Sequence, residues 1–154
     1  MHTLVRTHGK DAGFQMLVKQ LDAYLAVING DKNDFFVAHN TSLTLENVVV
    51  LWVEGEAVAC GAFKPFAEPT IPAAVEIKRM FVADAYRKRG YAELVLAELL
   101  GWAKELGYQN AVLETAKSMI PAVSFYKKLG FQETEKFGPY IGVETSVCFR
   151  KGIL

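Results

Sequence analysis

Three cations and a glycine stand together in residues 84–92, which have the sequence Asp-Ala-Tyr-Arg-Lys-Arg-Gly-Tyr-Ala. An apolar run ends here and a helical pattern begins, so this window is expected to open a helix. The first N–H groups of a helix have no partner within it and lie at the positive end of its dipole. Arg87, Lys88 and Arg89 add charge, and Gly90 lets a bulky anion approach the backbone. The window therefore predicts a phosphate-binding turn, with a solvated basic helix start as the alternative.

A carboxylate, Glu76, lies in the apolar, β-branched run before that window. Strand propensity disfavours an acid at such a position, so its charge requires a partner or a function. Lys78 or Arg79 could pair with it. Because side chains alternate along a strand, Glu76, Lys78 and Met80 share one face and Arg79 the other, which makes Lys78 the nearer partner. A catalytic role and an ion pair both remain open from the residues alone.

The elements that precede these residues are expected to be a strand, a helix and a hairpin. Residues 3–6 could form a short strand, and Asp11 can cap the helix. Glu54-Gly55-Glu56 predicts a tight antiparallel hairpin between strands at 47–53 and 57–63. The apolar residues after Asp11 recur with helical spacing: Phe14, Leu17, Val18, Leu21, Leu25 and Ile28.

Around the window the pattern predicts a βαβ unit. A strand at 75–82 is followed by a helix at 89–106, which Gly107 ends, and by a strand at 110–115. Strands joined in this way should run parallel.

A second helix is expected from Ser118, as its N-cap, to Leu129. Pro121 is tolerated in the first turn of that helix, and Gly130 follows its end. Strands at 131–136 and 143–151 would complete the chain. The apolar strand at 143–150 offers an edge that a partner could extend.

The chain has 154 residues, 51% of them hydrophobic, and its 17 basic side chains balance 17 acidic ones. That length and composition suit one folded domain over residues 1–154. Because the net charge is zero, no general field gathers nucleic acid or an anionic membrane, and no partner of either kind is expected.

The cysteines and histidines show no metal-binding spacing. Cys60 and Cys148 stand far apart in apolar runs and are expected to be buried free thiols. His2, His8 and His39 form no ligand pair, so no metal is expected. The N-terminus lacks the apolar segment of a signal peptide, and no apolar run reaches the roughly 18 residues of a spanning helix. A cytoplasmic location is therefore expected.

Three segments together resemble one known family. Arg87-x-x-Gly90-x-Ala92 is similar to the Gln/Arg-x-x-Gly-x-Gly/Ala signature of the GCN5-related N-acetyltransferase (GNAT) superfamily. Residues 76–82 resemble its central strand, and Ala-x-x-Phe-Tyr-Lys-Lys-Leu-Gly-Phe at 122–131 resembles its helix-to-strand segment. The resemblance implies an α/β (α+β) GNAT fold, in which a mixed, mostly antiparallel sheet of about seven strands contains one parallel βαβ unit and is flanked by helices.

The resemblance also implies acetyl-CoA as co-substrate, and it makes a homodimer possible. Backbone N–H groups of residues 87–92 would hold its pyrophosphate, and the edge of the central strand would pair with its pantetheine amides. A main-chain N–H of that strand would polarise the thioester carbonyl, as in an oxyanion hole. Ser118 stands where many relatives carry an asparagine that binds the cofactor. The expected cofactor-binding residues are Met80, Phe81, Val82, Arg87, Lys88, Arg89, Gly90, Tyr91, Ala92 and Ser118.

The implied reaction is acetyl transfer to a primary amine of a small molecule. Glu76 lies fourteen residues before Gly90, where the histone-acetylating branch of the family carries its general base. A base is needed because an alkylamine with a pKa of about 10.4 is neutral only about once in 2,500 molecules at pH 7. Tyr126 matches the tyrosine that protonates the CoA thiolate, although its ring also suits the apolar stripe of its helix.

The acceptor pocket is less well defined by the sequence. Phe35, Phe36 and Tyr140 could line it or could simply pack in the core. Lys78 or Arg79 could hold a substrate carboxylate. Two other functions stay open: a non-catalytic acyl-CoA-binding sensor, and an acetyltransferase acting on a protein lysine or N-terminus.

Overall fold

The computed structural model describes residues 1–29, 42–68 and 70–153. Phe35 and Phe36, the expected pocket residues after the first helix, lie outside them. The strands described are β1 (His2–Thr7), β2 (Asn47–Val53), β3 (Glu56–Phe66), β4 (Ala74–Val82), β5 (Asn110–Ala116), β6 (Gln132–Thr134) and β7 (Ser146–Gly152). The helices whose bounds the structure describes are α1 (Ala12–Asn29), α2 (Tyr91–Glu105) and α3 (Ile120–Lys128).

The seven strands form one mixed sheet in the order β1-β2-β3-β4-β5-β7-β6. The β1–β2, β2–β3, β5–β7 and β6–β7 pairs are antiparallel, and β4 runs parallel to β5. The expected mixed sheet with one parallel βαβ unit is thereby confirmed. The chain divides into two compact units, Met1–Lys64 with Lys78–Trp102, and Pro65–Ile77 with Ala103–Leu154. A single domain over 1–154 stays a prediction.

The first unit contains β1, α1, β2 and most of β3, and with them the predicted cap of α1 and the predicted β2–β3 turn. Phe14 N–H donates to the Asp11 carboxylate at 3.0 Å, so Asp11 caps α1 as expected. Glu54 and Gly55 both have positive φ, 51° and 79°, the conformation of the tight turn that joins twisted antiparallel strands. The apolar stripe of α1 packs on β2 and β3 in one buried cluster that includes Phe14, Leu17, Val18, Val48, Val50, Cys60 and Ala62.

Helix α2 packs beside β3 at Gly61, where side chains from two elements meet. A Cβ on Gly61 would lie 2.4 Å from the Met80 sulfur and 2.8 Å from Leu99 Cδ1. Glycine is therefore required for close packing, and Met80 fills the space above it. The helix begins at Tyr91 rather than at the predicted residue 89, because Lys88 and Gly90 are left-handed, with φ of 64° and 80°.

In the second unit β7 lies inside the sheet. It pairs with β5 along its whole length, from Ser146 opposite Ala116 to Gly152 opposite Asn110, and with β6 on its other side. The expectation that this strand offers a free edge to a partner is therefore wrong. The strand also begins later than the predicted residue 143, because the Ser146 N–H donates to Val143 O in a turn.

Helix α3 differs from its prediction at its first residue. Its N-cap is Met119, and no side chain caps it, so Ser118 is not the N-cap. Instead the Ile120 N–H donates to the Ser118 carbonyl at 3.0 Å. Pro121 lies in the first turn and Gly130, with φ of 92°, follows the end of the helix, both as predicted.

Cys60 and Cys148 are buried free thiols, as expected from their apolar surroundings. Among the helices that the structure describes, none has the length and apolar character needed to cross a bilayer.

Candidate functional site

The predicted phosphate-binding turn forms a continuous run of open backbone donors. A 3₁₀ turn at Asp84–Tyr86 leads from β4 into it, and α2 follows it. Within the described residues, the N–H groups of residues 88–93 meet no hydrogen-bond acceptor. They lie at the N-terminus of a 15-residue helix, where the helix dipole is positive. A run of this kind can bind phosphate oxygens.

Two left-handed residues shape this run. Lys88 has φ of 64° and Gly90 has φ of 80°. A Cβ on Gly90 would meet no atom of the described residues within 4 Å. Gly90 is therefore required by its backbone conformation, and the space above it is open to a ligand. This open space and the unpaired donors fit a bulky anion such as a pyrophosphate.

The three cations of the turn differ in their surroundings. Arg87 folds back: its Nε donates to Val82 O at 3.1 Å, and its guanidinium lies over the rings of Tyr24 and Phe81 at 5.0 and 5.7 Å. Arg89 lies over the Tyr86 ring at 5.3 Å. Within the described residues Lys88 has no partner. Arg87 thus stabilises the turn, and Lys88 is the cation most available to a bound anion.

Arg79 pairs with a residue that the sequence did not single out. Its guanidinium binds the carboxylate of Asp22 on α1, and the two side chains are only 10% and 1% exposed. Asp22 lies four residues after Val18, on the apolar face of α1. A carboxylate on that face is the sequence feature that could have predicted a buried ion pair. Arg79 also has φ of 58° in the middle of β4, which for a residue other than glycine costs about 1–2 kcal/mol.

The side chains that follow Arg79 are used for packing. Met80 lies above Gly61, and Phe81 packs against the cluster beneath α1. The part expected to act here is the main chain of Met80, Phe81 and Val82, and that role stays a prediction.

Glu76 lies in the second unit, where β4 pairs in parallel with β5. Its side chain is 7% exposed, and the Tyr140 hydroxyl donates to its Oε2 at 3.2 Å. Two residues that the sequence proposed separately are thus in contact. Burial, and then the carboxylates of Glu76 and Glu114, raise the pKa of Tyr140, so its hydroxyl stays protonated and remains a donor.

A second carboxylate lies close to this pair. The Ser146 hydroxyl donates to Glu114 Oε2 at 2.6 Å. Burial, followed by the charges of Glu114 and Glu76, raises the pKa of Cys148, so this thiol stays protonated. Sequence reasoning missed Glu114 and Ser146, although Glu114 interrupts an apolar strand as Glu76 does.

Tyr126 is the buried residue of α3, 8% exposed, and its ring contacts those of Phe125, Phe131 and Phe149. Within the described part of the chain, its hydroxyl makes no hydrogen bond. Burial raises the pKa of that hydroxyl, so the phenol holds its proton across the neutral range. The ring belongs to the core, and the protonated hydroxyl can donate a hydrogen bond. Ser118, by contrast, is exposed.

Among the residues that the structure describes, no three His, Cys, Asp or Glu side chains group so as to hold a metal ion.

Comparison with known proteins gives one consistent family. The profile of the acetyltransferase (GNAT) family matches residues 15–131. An IAA acetyltransferase of Azospirillum brasilense is 27% identical over 139 residues, which cover 90% of this chain and 89% of that protein. An uncharacterised N-acetyltransferase of Schizosaccharomyces pombe is 35% identical over 83 residues. That match covers 54% of this chain and 49% of the yeast protein, so the chain spans about half the length of that relative.

Solved structures agree with this result. A Klebsiella pneumoniae protein assigned as an acyl-CoA N-acyltransferase has a TM-score of 0.81 at 26% identity, covering 100% of this chain and 99% of its own. The PaiA N-acetyltransferase of Thermoplasma acidophilum, solved with coenzyme A, has a TM-score of 0.75 at 12% identity, and 99% of each chain is covered. The second likeness shows the shared fold.

Proposed function

The chain belongs to the acetyltransferase (GNAT) family, and from this premise we propose that it transfers the acetyl group of acetyl-CoA to a primary amine of a small molecule. The observation that carries the proposal is the run of N–H groups at residues 88–93, which lack acceptors within the described residues and lie inside the matched segment. Acetyl-CoA supplies the activated acyl group as a thioester.

The phosphate-binding turn holds the pyrophosphate in this proposal. Its backbone donors are already in place before the anion arrives, so binding requires little reorganisation. Lys88 adds charge, whereas Arg87 keeps the turn in position through Val82 O and Tyr24. Main-chain N–H groups of Met80, Phe81 and Val82 would pair with the pantetheine arm and polarise the thioester carbonyl.

Glu76 is the proposed general base. It is buried and its Oε2 accepts from Tyr140, so the carboxylate is held in one orientation. It would take the proton of the amine through water, because the protonated amine has no lone pair for attack. An ion pair with Lys78 is the alternative role for this carboxylate.

Tyr126 is the proposed donor to the departing sulfur. Burial keeps its phenol protonated, so it can donate a hydrogen bond as the thiolate forms. Full transfer of the proton to sulfur is favourable only where the pKa of the leaving thiol rises above that of the phenol; below that point Tyr126 stabilises the departing thiolate through its hydrogen bond.

A substitution at Gly90 tests the phosphate-binding turn. Gly90→Ala puts a Cβ into the open space at the turn and strains a backbone with φ of 80°, so we expect the Kd for CoA to rise about tenfold, or about 1.4 kcal/mol. Gly107→Ala is the matched control, because φ there is 93° and its Cβ would also meet open space, but it follows the opposite end of α2. Calorimetric titration with CoA measures both. Equal losses in the two variants would mean that backbone strain alone is responsible.

The function itself is tested with an assay of acetyl-CoA consumption, read as released thiol. The acceptors are a panel of amino acids, polyamines, aminoglycosides and a lysine-rich peptide, with calorimetric titration of CoA in parallel. Turnover on one small-molecule class supports the proposal. Turnover on the peptide alone would assign a protein acceptor, and binding without any turnover would favour the sensor. Failure to bind CoA would overturn the proposal.

A further inference from the structure

The buried ion pair of Arg79 and Asp22 coincides with an irregular point in the central strand. Arg79 is left-handed, a conformation that glycine adopts freely and that a strand residue other than glycine seldom takes. Its guanidinium crosses to α1 and binds Asp22, whose side chain is 1% exposed. A surface ion pair would hold such a conformation weakly, but a buried one cannot be broken without leaving a charge in the core.

Arg79 is held from a second side as well. The Cys60 thiol on β3 donates to the Arg79 carbonyl at 3.4 Å. Desolvation by burial raises the pKa of that thiol to about 12, so the donor keeps its proton. The side chain of Arg79 is thus fixed by α1 and its carbonyl by β3, and the peptide group of that carbonyl also carries the Met80 N–H.

The pair is not arranged for the greatest stability. Asp22 Oδ2 and Arg79 Nε are buried and make no hydrogen bond with any described residue. A pair kept for stability alone is expected to satisfy such atoms or to be replaced by apolar side chains. The left-handed conformation of β4 occurs at the same residue that makes this pair with α1.

We propose that Asp22 is a positioning residue, which acts through Arg79 to hold β4 left-handed at residue 79 and so aims the N–H groups of Met80 and Phe81. The inference rests on the proposed function, in which those N–H groups bind acyl-CoA. A left-handed residue turns the following peptide away from its direction in a regular strand, as in a bulge. Loss of the pair would let residue 79 return to extended geometry and turn these donors away.

The test uses two double variants that differ by one methyl group. D22N/R79G and D22N/R79A both remove the two charges, so neither leaves an unpaired charge in the core. Glycine adopts positive φ without the pair, whereas alanine does not. We expect NMR to show residue 79 left-handed in D22N/R79G and extended in D22N/R79A. We expect kcat to fall at least tenfold in D22N/R79A, because loss of one oxyanion donor costs about 10² to 10³, and to be at least threefold higher in D22N/R79G than in D22N/R79A.

Arg79→Lys is the conservative variant and keeps a cation opposite Asp22. It should retain the left-handed backbone and most of kcat. If the double variants do not fold, this variant still tests the role of the ion pair. Equal φ at residue 79 in the two double variants, or an extended residue 79 in Arg79→Lys, would overturn the inference. Titration of the wild type with CoA separates the two proposals: without binding the proposed function fails, while the NMR comparison still decides the role of Asp22.

Discussion

Glu76→Gln is expected to lower kcat by about 10² to 10³ while leaving the Kd for CoA within about twofold of wild type. General-base catalysis contributes about 10² to 10⁴ in rate, and a glutamine cannot accept the proton of the amine. The amide is close in size and can still accept from the Tyr140 hydroxyl, which donates to Glu76 at 3.2 Å in the wild type. The fold around Tyr140 should therefore persist.

Glu114→Gln is the matched control for that experiment. Glu114 is a carboxylate of the same unit, and its partner is the Ser146 hydroxyl. We expect this variant to change kcat by less than about threefold. The measurements are kcat against pH for the acceptor found in the panel, and calorimetry with CoA. An unchanged kcat in Glu76→Gln at every pH would remove Glu76 from the mechanism and leave it as an ion-pair partner.

Tyr126→Phe is expected to lower kcat about 10- to 100-fold, equivalent to about 1.4–2.7 kcal/mol in the barrier. The ring contacts with Phe125, Phe131 and Phe149 are all available to phenylalanine. Because the Tyr126 hydroxyl makes no hydrogen bond within the described residues, its removal should not lower the free energy of unfolding. We therefore expect Tyr126→Phe to lower kcat without lowering the free energy of unfolding.

Thermal unfolding and kcat, measured on the same preparations, check this separation. Tyr86→Phe is the control, because it removes a tyrosine hydroxyl that donates to Glu56 at 2.9 Å. We expect it to alter kcat by less than about twofold. Since burial raises the pKa of Tyr126, its deprotonation should not reduce wild-type kcat between pH 7 and 9. Full activity in Tyr126→Phe would assign the residue to the core alone.

The local signals in the sequence were sufficient for much of the fold. Asp11 caps α1, and Glu54-Gly55 forms a two-residue turn between β2 and β3. Each of these depends on a few neighbouring residues, whose conformational preferences act whatever the rest of the chain does. The parallel β4–β5 pair was likewise predictable, because a strand, a helix and a strand in succession allow few other arrangements.

The main error in the fold came from contacts between residues far apart in the chain. The 143–150 segment was expected to offer a free edge, but strand order depends on which distant strands pair, and spacing along one strand does not report it. Ser118 was a good candidate cap by residue type, yet the helix starts after Met119.

The candidate site was likewise predictable where it depends on neighbouring residues and not where it depends on distant ones. The turn at 84–92 could be recognised because its charge and glycine are local. The contact of Tyr140 with Glu76 joins residues 64 positions apart, and that of Arg79 with Asp22 joins residues 57 positions apart. The alternation of side chains along β4 does not predict a left-handed residue at position 79. The ion pair found at that residue is made with Asp22 on α1, which lies elsewhere in the sequence.

The place of β7 in the sheet has a consequence for the gene. β7 comes late in the sequence, yet it lies between β5 and β6 and supplies hydrogen-bond partners to both. A nonsense codon at position 146 would spare most of the reading frame and still leave β5 and β6 without their common neighbour. A late truncation of this kind is therefore expected to behave as a null allele, whereas a missense change on the exposed face of the turn before it would be tolerated.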